Sequence, residues 1–153
     1  MATFEELLQK DGRLVYKTKG VSMKPMLRQN RDLVIIEPAA SKLGKYDVAL
    51  YKRGEKYVLH RVIGVRDGYY RIRGDNTYSI EHVPNETVLG VLKRFNRNGK
   101  MHAVTDRGYR LYCRFWNLIY PLRFLWHHGV RLLKCAARKL GLTPILKKLL
   151  RRK

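Results

Sequence analysis

Three short motifs contain side chains whose types and spacing could hydrolyse a peptide bond. Ser22 lies in Gly20-Val21-Ser22-Met23-Lys24-Pro25-Met26, between a flexible glycine and a proline, a setting that can present a hydroxyl in a groove. His60 interrupts the apolar run 57–63, and an imidazole, with an ordinary pKa of about 6.5, is the natural base at neutral pH. Gly74-Asp75-Asn76 is a polar turn. Each motif alone is common, but together they predict serine hydrolysis, which needs no cofactor and no metal ion.

The residue pattern around these motifs predicts a sheet that would position them. Thr3 and Glu6 form a Thr-x-x-Glu capping box, which predicts a short helix over residues 3–10 that ends at Asp11-Gly12. From Leu14 the pattern has period two, and later runs rich in Val, Ile and Tyr are separated by turn residues. The later strands are predicted at 33–36, 48–51, 57–65, 69–73 and 88–92, with turns at Asp67-Gly68 and Asn98-Gly99. Residues 14–105 are therefore predicted to form an all-β domain.

The motifs, taken in their order, resemble the signal peptidase I superfamily, a serine peptidase clan that also contains the self-cleaving SOS-type repressors. The resemblance covers residues 14–95, through Gly-x-Ser-Met-x-Pro, Asp32-Leu33-Val34-Ile35, Tyr46-Asp47-Val48, His60-Arg61-Val62-Ile63, Gly74-Asp75-Asn76 and Val88-Leu89-Gly90-Val91. It implies a mainly β, signal-peptidase-like complex sheet in which Ser22 is the nucleophile. In the bacterial branch of this superfamily, a lysine at this motif position is the base. The other branch has a histidine there, so the resemblance implies that His60 is the general base.

The same resemblance implies the other members of the site. The histidine branch has an acidic residue several positions after Gly-Asp-Asn, which makes Glu81 the candidate orienting group. Asp75 matches the family's Gly-Asp turn, which can support the site rather than react. Some members place an oxyanion-hole hydroxyl two residues before the nucleophile, but Gly20 occupies that position here. The hole would therefore depend on backbone N–H groups such as that of Ser22.

The expected substrate is a peptide or precursor protein. We expect it to lie extended along the strand edges, with Gly20, Met23 and Pro25 as substrate-binding residues. The resemblance implies small side chains next to the cleaved bond.

Basic residues dominate the composition and are concentrated in the C-terminal third. The 153 residues include 33 Lys and Arg against 12 Asp and Glu, a net charge of +21, so we expect an anionic partner. The last acidic residue is Asp106, and the composition therefore divides the chain into a peptidase domain, residues 1–105, and a basic tail, residues 106–153. With 45% hydrophobic residues and two cysteines, the chain is neither a disordered tail nor a disulfide-stabilised miniprotein.

The tail is predicted to form basic amphipathic helices with an aromatic, apolar face. Such helices suit the headgroup region of an anionic bilayer, and the expected membrane-binding residues are Arg110, Arg114, Trp116, Arg123, Trp126 and Arg131. Pro121 is expected to kink or restart the helix, and Thr143-Pro144 to begin a second short helix. Alternatively, the apolar face packs on the β-domain or on a partner protein.

Nucleic acid is the less favoured partner. The repressor branch has a helix-turn-helix before its peptidase domain, but only 21 residues precede Ser22, and the tail is rich in large aliphatic side chains. The sequence shows no signal-peptide pattern and no run of about 18 to 20 apolar residues typical of a spanning helix. We therefore expect a peripheral enzyme on the cytoplasmic face of a membrane, acting on the leader of a cytosolic precursor. The alternative is a catalytically inactive membrane- or nucleic-acid-associated binding protein with the same fold. The oligomeric state is left open.

Overall fold

A computed structural model describes residues 3–139 of the chain. The chain divides into two compact units, Met1–Cys113 and Arg114–Lys153. The division between residues 105 and 106 that the composition predicts stays a prediction. The predicted helix at Thr143-Pro144 lies outside the described residues.

The first unit is mainly antiparallel β-sheet, which confirms the predicted mainly β class. The strands are paired in the order β1-β2-β7-β3-β4-β5-β6, and β8 pairs with β7. A short helix, α1, precedes the sheet, and a 3₁₀ turn, Asn85–Thr87, precedes β7. The bounds are α1 Phe4–Asp11, β1 Leu14–Lys17, β2 Leu33–Pro38, β3 Val48–Arg53, β4 Lys56–Val65, β5 Tyr69–Arg73, β6 Glu81–Pro84, β7 Val88–Arg97 and β8 Lys100–Ala103.

Helix α1 forms where the local signals predict it. The Thr3 side chain accepts a hydrogen bond from the Glu6 N–H, and the Glu6 carboxylate accepts one from the Thr3 N–H, which completes the capping box. Gly12 ends the helix with a φ of 64°, in the left-handed region that glycine adopts without a steric cost. Leu8 anchors the helix in the core.

Two strands, β6 and β8, are not among the predicted strands. Both are short and contain polar residues, and each pairs with one neighbour within residues 3–139, so their periodicity is weak. The turn before β8 was predicted: Asn98 and Gly99 have φ values of 52° and 78°, which fit a two-residue hairpin turn. The Asp67-Gly68 turn between β4 and β5 also forms, closed by a hydrogen bond from the Arg66 N–H to the Tyr69 carbonyl.

Side chains from both faces of the sheet are buried, in two separate clusters. Along β3, Val48 and Leu50 belong to one cluster, whereas Ala49 and Tyr51 belong to the other. Successive strand residues point to opposite faces, so this alternation is what buries both faces. The first cluster also includes Leu8 of α1 and residues of the segment between β1 and β2. The core therefore fixes the loop that contains Ser22 as well as the sheet.

Two helices follow the sheet, α2 Arg107–Leu118 and α3 Tyr120–Lys139. Pro121 lies in the first turn of α3, where its missing N–H costs no hydrogen bond, so the chain restarts a helix there. The described part of the second unit, residues 114–139, exposes several large apolar side chains. None of the helices in the described range is both long and apolar enough to cross a membrane.

Candidate active site

The Ser22 loop is held at several points between β1 and β2. Met23, Met26 and Leu27 are buried in the first core cluster. The Thr18 side chain donates to the Arg28 carbonyl over 3.2 Å, and the buried Asp32 carboxylate accepts from the Arg28 N–H over 2.8 Å. The loop is therefore fixed in place by packing and hydrogen bonds, while Ser22 itself remains only half-buried.

His60 lies in the middle of β4, where strand pairing sets its position. It pairs with Ala49 of β3, which brings Tyr51 to the same face of the sheet. The imidazole is buried, with 5% of the residue exposed. Its Nδ1 lies 3.1 Å from Glu81 Oε1 and 3.3 Å from the Tyr51 hydroxyl.

The charges around His60 determine which nitrogen carries the proton. Burial alone would raise the pKa of Glu81, but hydrogen bonds from Tyr51 and Arg53 and the positive charge of Arg53 lower its pKa below the ordinary value. Glu81 is therefore ionised at neutral pH and can only accept, so His60 Nδ1 donates to it. Burial lowers the pKa of His60, and Glu81 only partly opposes this. At neutral pH the imidazole is uncharged and Nε2 is free to accept a proton.

The Gly74-Asp75-Asn76 turn brings the Ser22 loop next to the imidazole. A Cβ atom on Gly74 would lie 2.8 Å from the Ser22 carbonyl oxygen and 3.0 Å from His60 Nε2. Asn76 also holds the loop, since its N–H donates to the Ser22 carbonyl over 2.7 Å and its side chain donates to the Val21 carbonyl. Only glycine at position 74 permits this close approach.

Ser22 and His60 line one cleft, together with Glu81, but the hydrogen bond for proton transfer is not formed. Within residues 3–139, no hydrogen bond joins the Ser22 hydroxyl to His60. Such bonds are often long in free enzymes and tighten when substrate binds. The Ser22 N–H has no acceptor in the same part of the chain, so it is available to an oxyanion.

Asp75 lies beside the site in a buried ion pair. Its two carboxylate oxygens accept from Arg61 Nε over 2.7 Å and from Arg61 Nη2 over 2.8 Å, and Oδ2 also accepts from the Tyr112 hydroxyl. Arg61 donates further to the Tyr46 carbonyl and to the Cys113 sulfur. Asp75 therefore supports the turn, whereas Glu81 is the carboxylate that contacts His60.

The cleft has a volume of about 670 Å³ and is open to solvent along a strand edge. Within the part of the chain that the structure describes, residues 56–60 of β4 pair only with β3, because β5 pairs with β4 from Arg61 onward. The other backbone edge of this segment borders the cleft. Of the three predicted substrate-binding residues, Gly20 and Met23 line the cleft, whereas Pro25 is not among its lining residues.

The predicted membrane-binding residues all lie on helices α2 and α3. Arg110, Arg114, Trp126 and Arg131 are exposed, and Trp116 and Arg123 are half-buried. Within the second unit the Arg123 guanidinium lies 3.7 Å from the centre of the Trp116 ring, in a cation–π contact.

Three contributors to the site are not among the predicted site residues. Tyr51 and Arg53 contact Glu81, and Arg61 holds Asp75. Tyr51 could be found from the register of the β3–β4 hairpin, which places it two residues from the partner of His60. Arg61 gives no such signal, because a charged residue in a strand usually faces solvent.

Comparison of the sequence with protein-family models and with curated proteins gives no match. The likeness to the signal peptidase I superfamily therefore depends on the motif residues themselves.

Proposed function

We propose that this protein is a serine endopeptidase resembling signal peptidase I, which cleaves a signal or leader peptide with Ser22 as nucleophile and His60 as general base. The observation that supports it is the hydrogen bond from buried His60 Nδ1 to ionised Glu81, 3.1 Å long, in the same cleft as Ser22. Such a bond fixes the imidazole as a base whose Nε2 lies beside the Ser22 loop. A merely structural histidine would not need to line the same cleft as a serine.

The substrate would add to the free edge of residues 56–60 as an extended strand. As the Ser22 hydroxyl attacks the scissile carbonyl, its proton passes to His60 Nε2, and Glu81 stabilises the resulting imidazolium. The Ser22 N–H would donate to the oxyanion. The imidazolium then gives its proton to the leaving amine, which leaves an acyl group on Ser22. Water, deprotonated by His60, hydrolyses this ester and restores the serine.

The direct test compares the N-terminal peptides of cells that make the wild-type chain, Ser22→Ala or His60→Ala, measured by mass spectrometry. We expect a set of new termini in the wild type that is absent from both variants. Ser41→Ala and His82→Ala are matched controls, because both residues are exposed and lie outside the cleft lining. These controls should retain the new termini. Identical profiles in all five strains, with folded proteins, would refute the peptidase and favour an inactive binding protein with this fold.

We place this activity at an anionic membrane surface, on its cytoplasmic face. In α3, Leu122, Leu125 and Leu132 recur at helical spacing and are 67% to 71% exposed, and Trp126 is 76% exposed. This apolar stripe and the surrounding Lys and Arg residues suit a helix that lies in the headgroup region.

Flotation of the full-length protein with lipid vesicles tests the membrane proposal. We expect strong binding to phosphatidylserine-containing vesicles and weaker, measurable binding to neutral phosphatidylcholine vesicles. Leu125→Ser with Trp126→Ser should abolish the binding to neutral vesicles. Val15→Ser with Met101→Ser is the matched control, because these side chains are 53% and 54% exposed on the β-sheet unit. Binding to single-stranded nucleic acid without any binding to neutral vesicles would contradict the proposal.

A further inference from the structure

The charged residues that line the cleft are mostly basic. Lys19, Arg53 and Lys56 line it, and Glu81 is the only acidic residue among the described residues that does so. Arg53 already donates to Glu81 over 3.0 Å. Because the positive charge of Arg53 is balanced by Glu81, no acidic residue among the described residues that line the cleft is left to balance the two lysines.

Lys19 and Lys56 are exposed and come from different elements of the cleft. Lys19 follows β1, and Lys56 is the first residue of β4. Neither lysine forms an ion pair within residues 3–139. Glu5 of α1 is engaged elsewhere, since it accepts from the Tyr57 hydroxyl and lies 4.0 Å from Lys52.

We infer that the cleft selects acidic peptides, with Lys19 and Lys56 as specificity-determining residues. The inference depends on the proposed function, because the cleaved bond at Ser22 sets the position of the substrate. Lys56 lies four residues before His60 on the free edge of β4. A strand paired with this edge advances by about 3.3 Å per residue, so it reaches Lys56 about four residues from the cleaved bond. An Asp or Glu at that position would meet the lysine ammonium groups.

The expected preference is moderate, because exposed ion pairs in water are weak. One such pair changes the affinity by up to about fivefold, and two lysines together by roughly tenfold. Added salt should reduce the preference, because these pairs are screened.

Binding to the Ser22→Ala protein tests the inference separately from catalysis. Fluorescence anisotropy would give the Kd of three labelled ten-residue peptides with a central alanine. The peptides differ only at one position, four residues from that alanine, which is Glu, Gln or Lys. Two sets of peptides are compared, one with this variable position before the alanine and one with it after the alanine. On one side we expect Glu to bind roughly tenfold more tightly than Gln, and Lys more weakly than Gln. Equal affinities on both sides would overturn the inference.

Paired lysine variants test whether the cleft is responsible. In the Ser22→Ala background, Lys19→Ala with Lys56→Ala should remove the Glu preference. Lys93→Ala with Lys100→Ala makes the same change in net charge at exposed positions outside the cleft lining and should retain it. Loss of the preference in both pairs, or in neither, would refute the role of the two lysines. A single-stranded oligonucleotide that binds more tightly than the Glu peptide and depends on Lys19 and Lys56 would also overturn it.

Cleavage by the protein with Ser22 intact separates the two proposals. Acidic peptides that bind selectively but are never cut would refute the peptidase and leave the selectivity in place. Peptides that are cut at equal rates whatever their charge would refute the selectivity and leave the peptidase in place.

Discussion

The replacement Glu81→Gln tests the site most directly, because it removes one charge and keeps the shape of the side chain. Glu81 Oε1 lies 3.1 Å from His60 Nδ1, and the side chains of His60 and Glu81 are only 7% and 21% exposed. A hydrogen bond to a charged group contributes about 1.5 to 3 kcal/mol. The imidazolium that forms in the transition state would lose this stabilisation, so kcat/KM should fall roughly 10- to 150-fold.

The pH dependence of the same variant should shift in a direction that distinguishes an electrostatic role from a structural one. In the wild type, burial keeps the pKa of His60 below its ordinary value, so the proposed activity should be lost only as the pH falls through that lowered pKa. Glu81 raises the pKa of His60, and its neutralisation should therefore move the acid limb to lower pH while the plateau falls. The assay is kcat/KM on a cleaved peptide between pH 4 and 8, with the His60 ring signals followed by NMR.

Glu86→Gln makes the same charge change at an exposed position on the 3₁₀ turn and should leave both the plateau and the acid limb unchanged. A Glu81→Gln enzyme within twofold of the wild type, or one whose acid limb moves to higher pH, would refute the role assigned to Glu81.

Three further perturbations follow from the geometry. Gly74→Ala would place a Cβ 2.8 Å from a backbone carbonyl and 3.0 Å from His60 Nε2, so activity should fall about 100-fold. Gly108→Ala should be neutral in the same assay, because a Cβ at position 108 would meet no described residue outside its own helix within 4 Å. Asp75→Asn leaves Arg61 buried without a counter-charge, so the free energy of unfolding measured by urea titration should fall by about 3 to 5 kcal/mol. A decrease of less than about 1 kcal/mol would contradict this expectation. The free energy of unfolding should decrease between pH 7.5 and 5.5, because the folded pKa of His60 lies below its unfolded value, and His60→Gln should reduce that decrease.

The elements that local signals specify could be predicted from the sequence. Helix α1 needs only its capping box and the glycine that ends it, and both are read within ten residues. Strands β3 to β5 have the apolar periodicity of sheet residues. Strand β6 lacks this periodicity. Residues 81–84 become a strand by pairing with β5, and a four-residue segment is too short to show such a pairing in its own sequence.

The candidate site, like the fold, could be predicted only in part. The resemblance supplies Ser22, His60 and Glu81, and the fold brings all three to one cleft. The contacts that orient them depend on register, which composition does not reveal. Tyr51 reaches Glu81 and His60 only because β3 and β4 pair with Ala49 opposite His60. A slip of one residue would turn that hydroxyl to the other face of the sheet.

The role of the buried ion pair between Arg61 and Asp75 follows from the residues that precede each of them in the chain. Arg61 directly follows His60, and Asp75 directly follows Gly74, so the pair fixes β4 against the turn that contacts the Ser22 loop. A buried ion pair contributes little net stability, because desolvation of both charges offsets their attraction. What it supplies here is a fixed distance between the imidazole and the serine loop. The Tyr112 hydroxyl of α2 donates to the same carboxylate, so the first turns of that helix belong to the structure that positions the site.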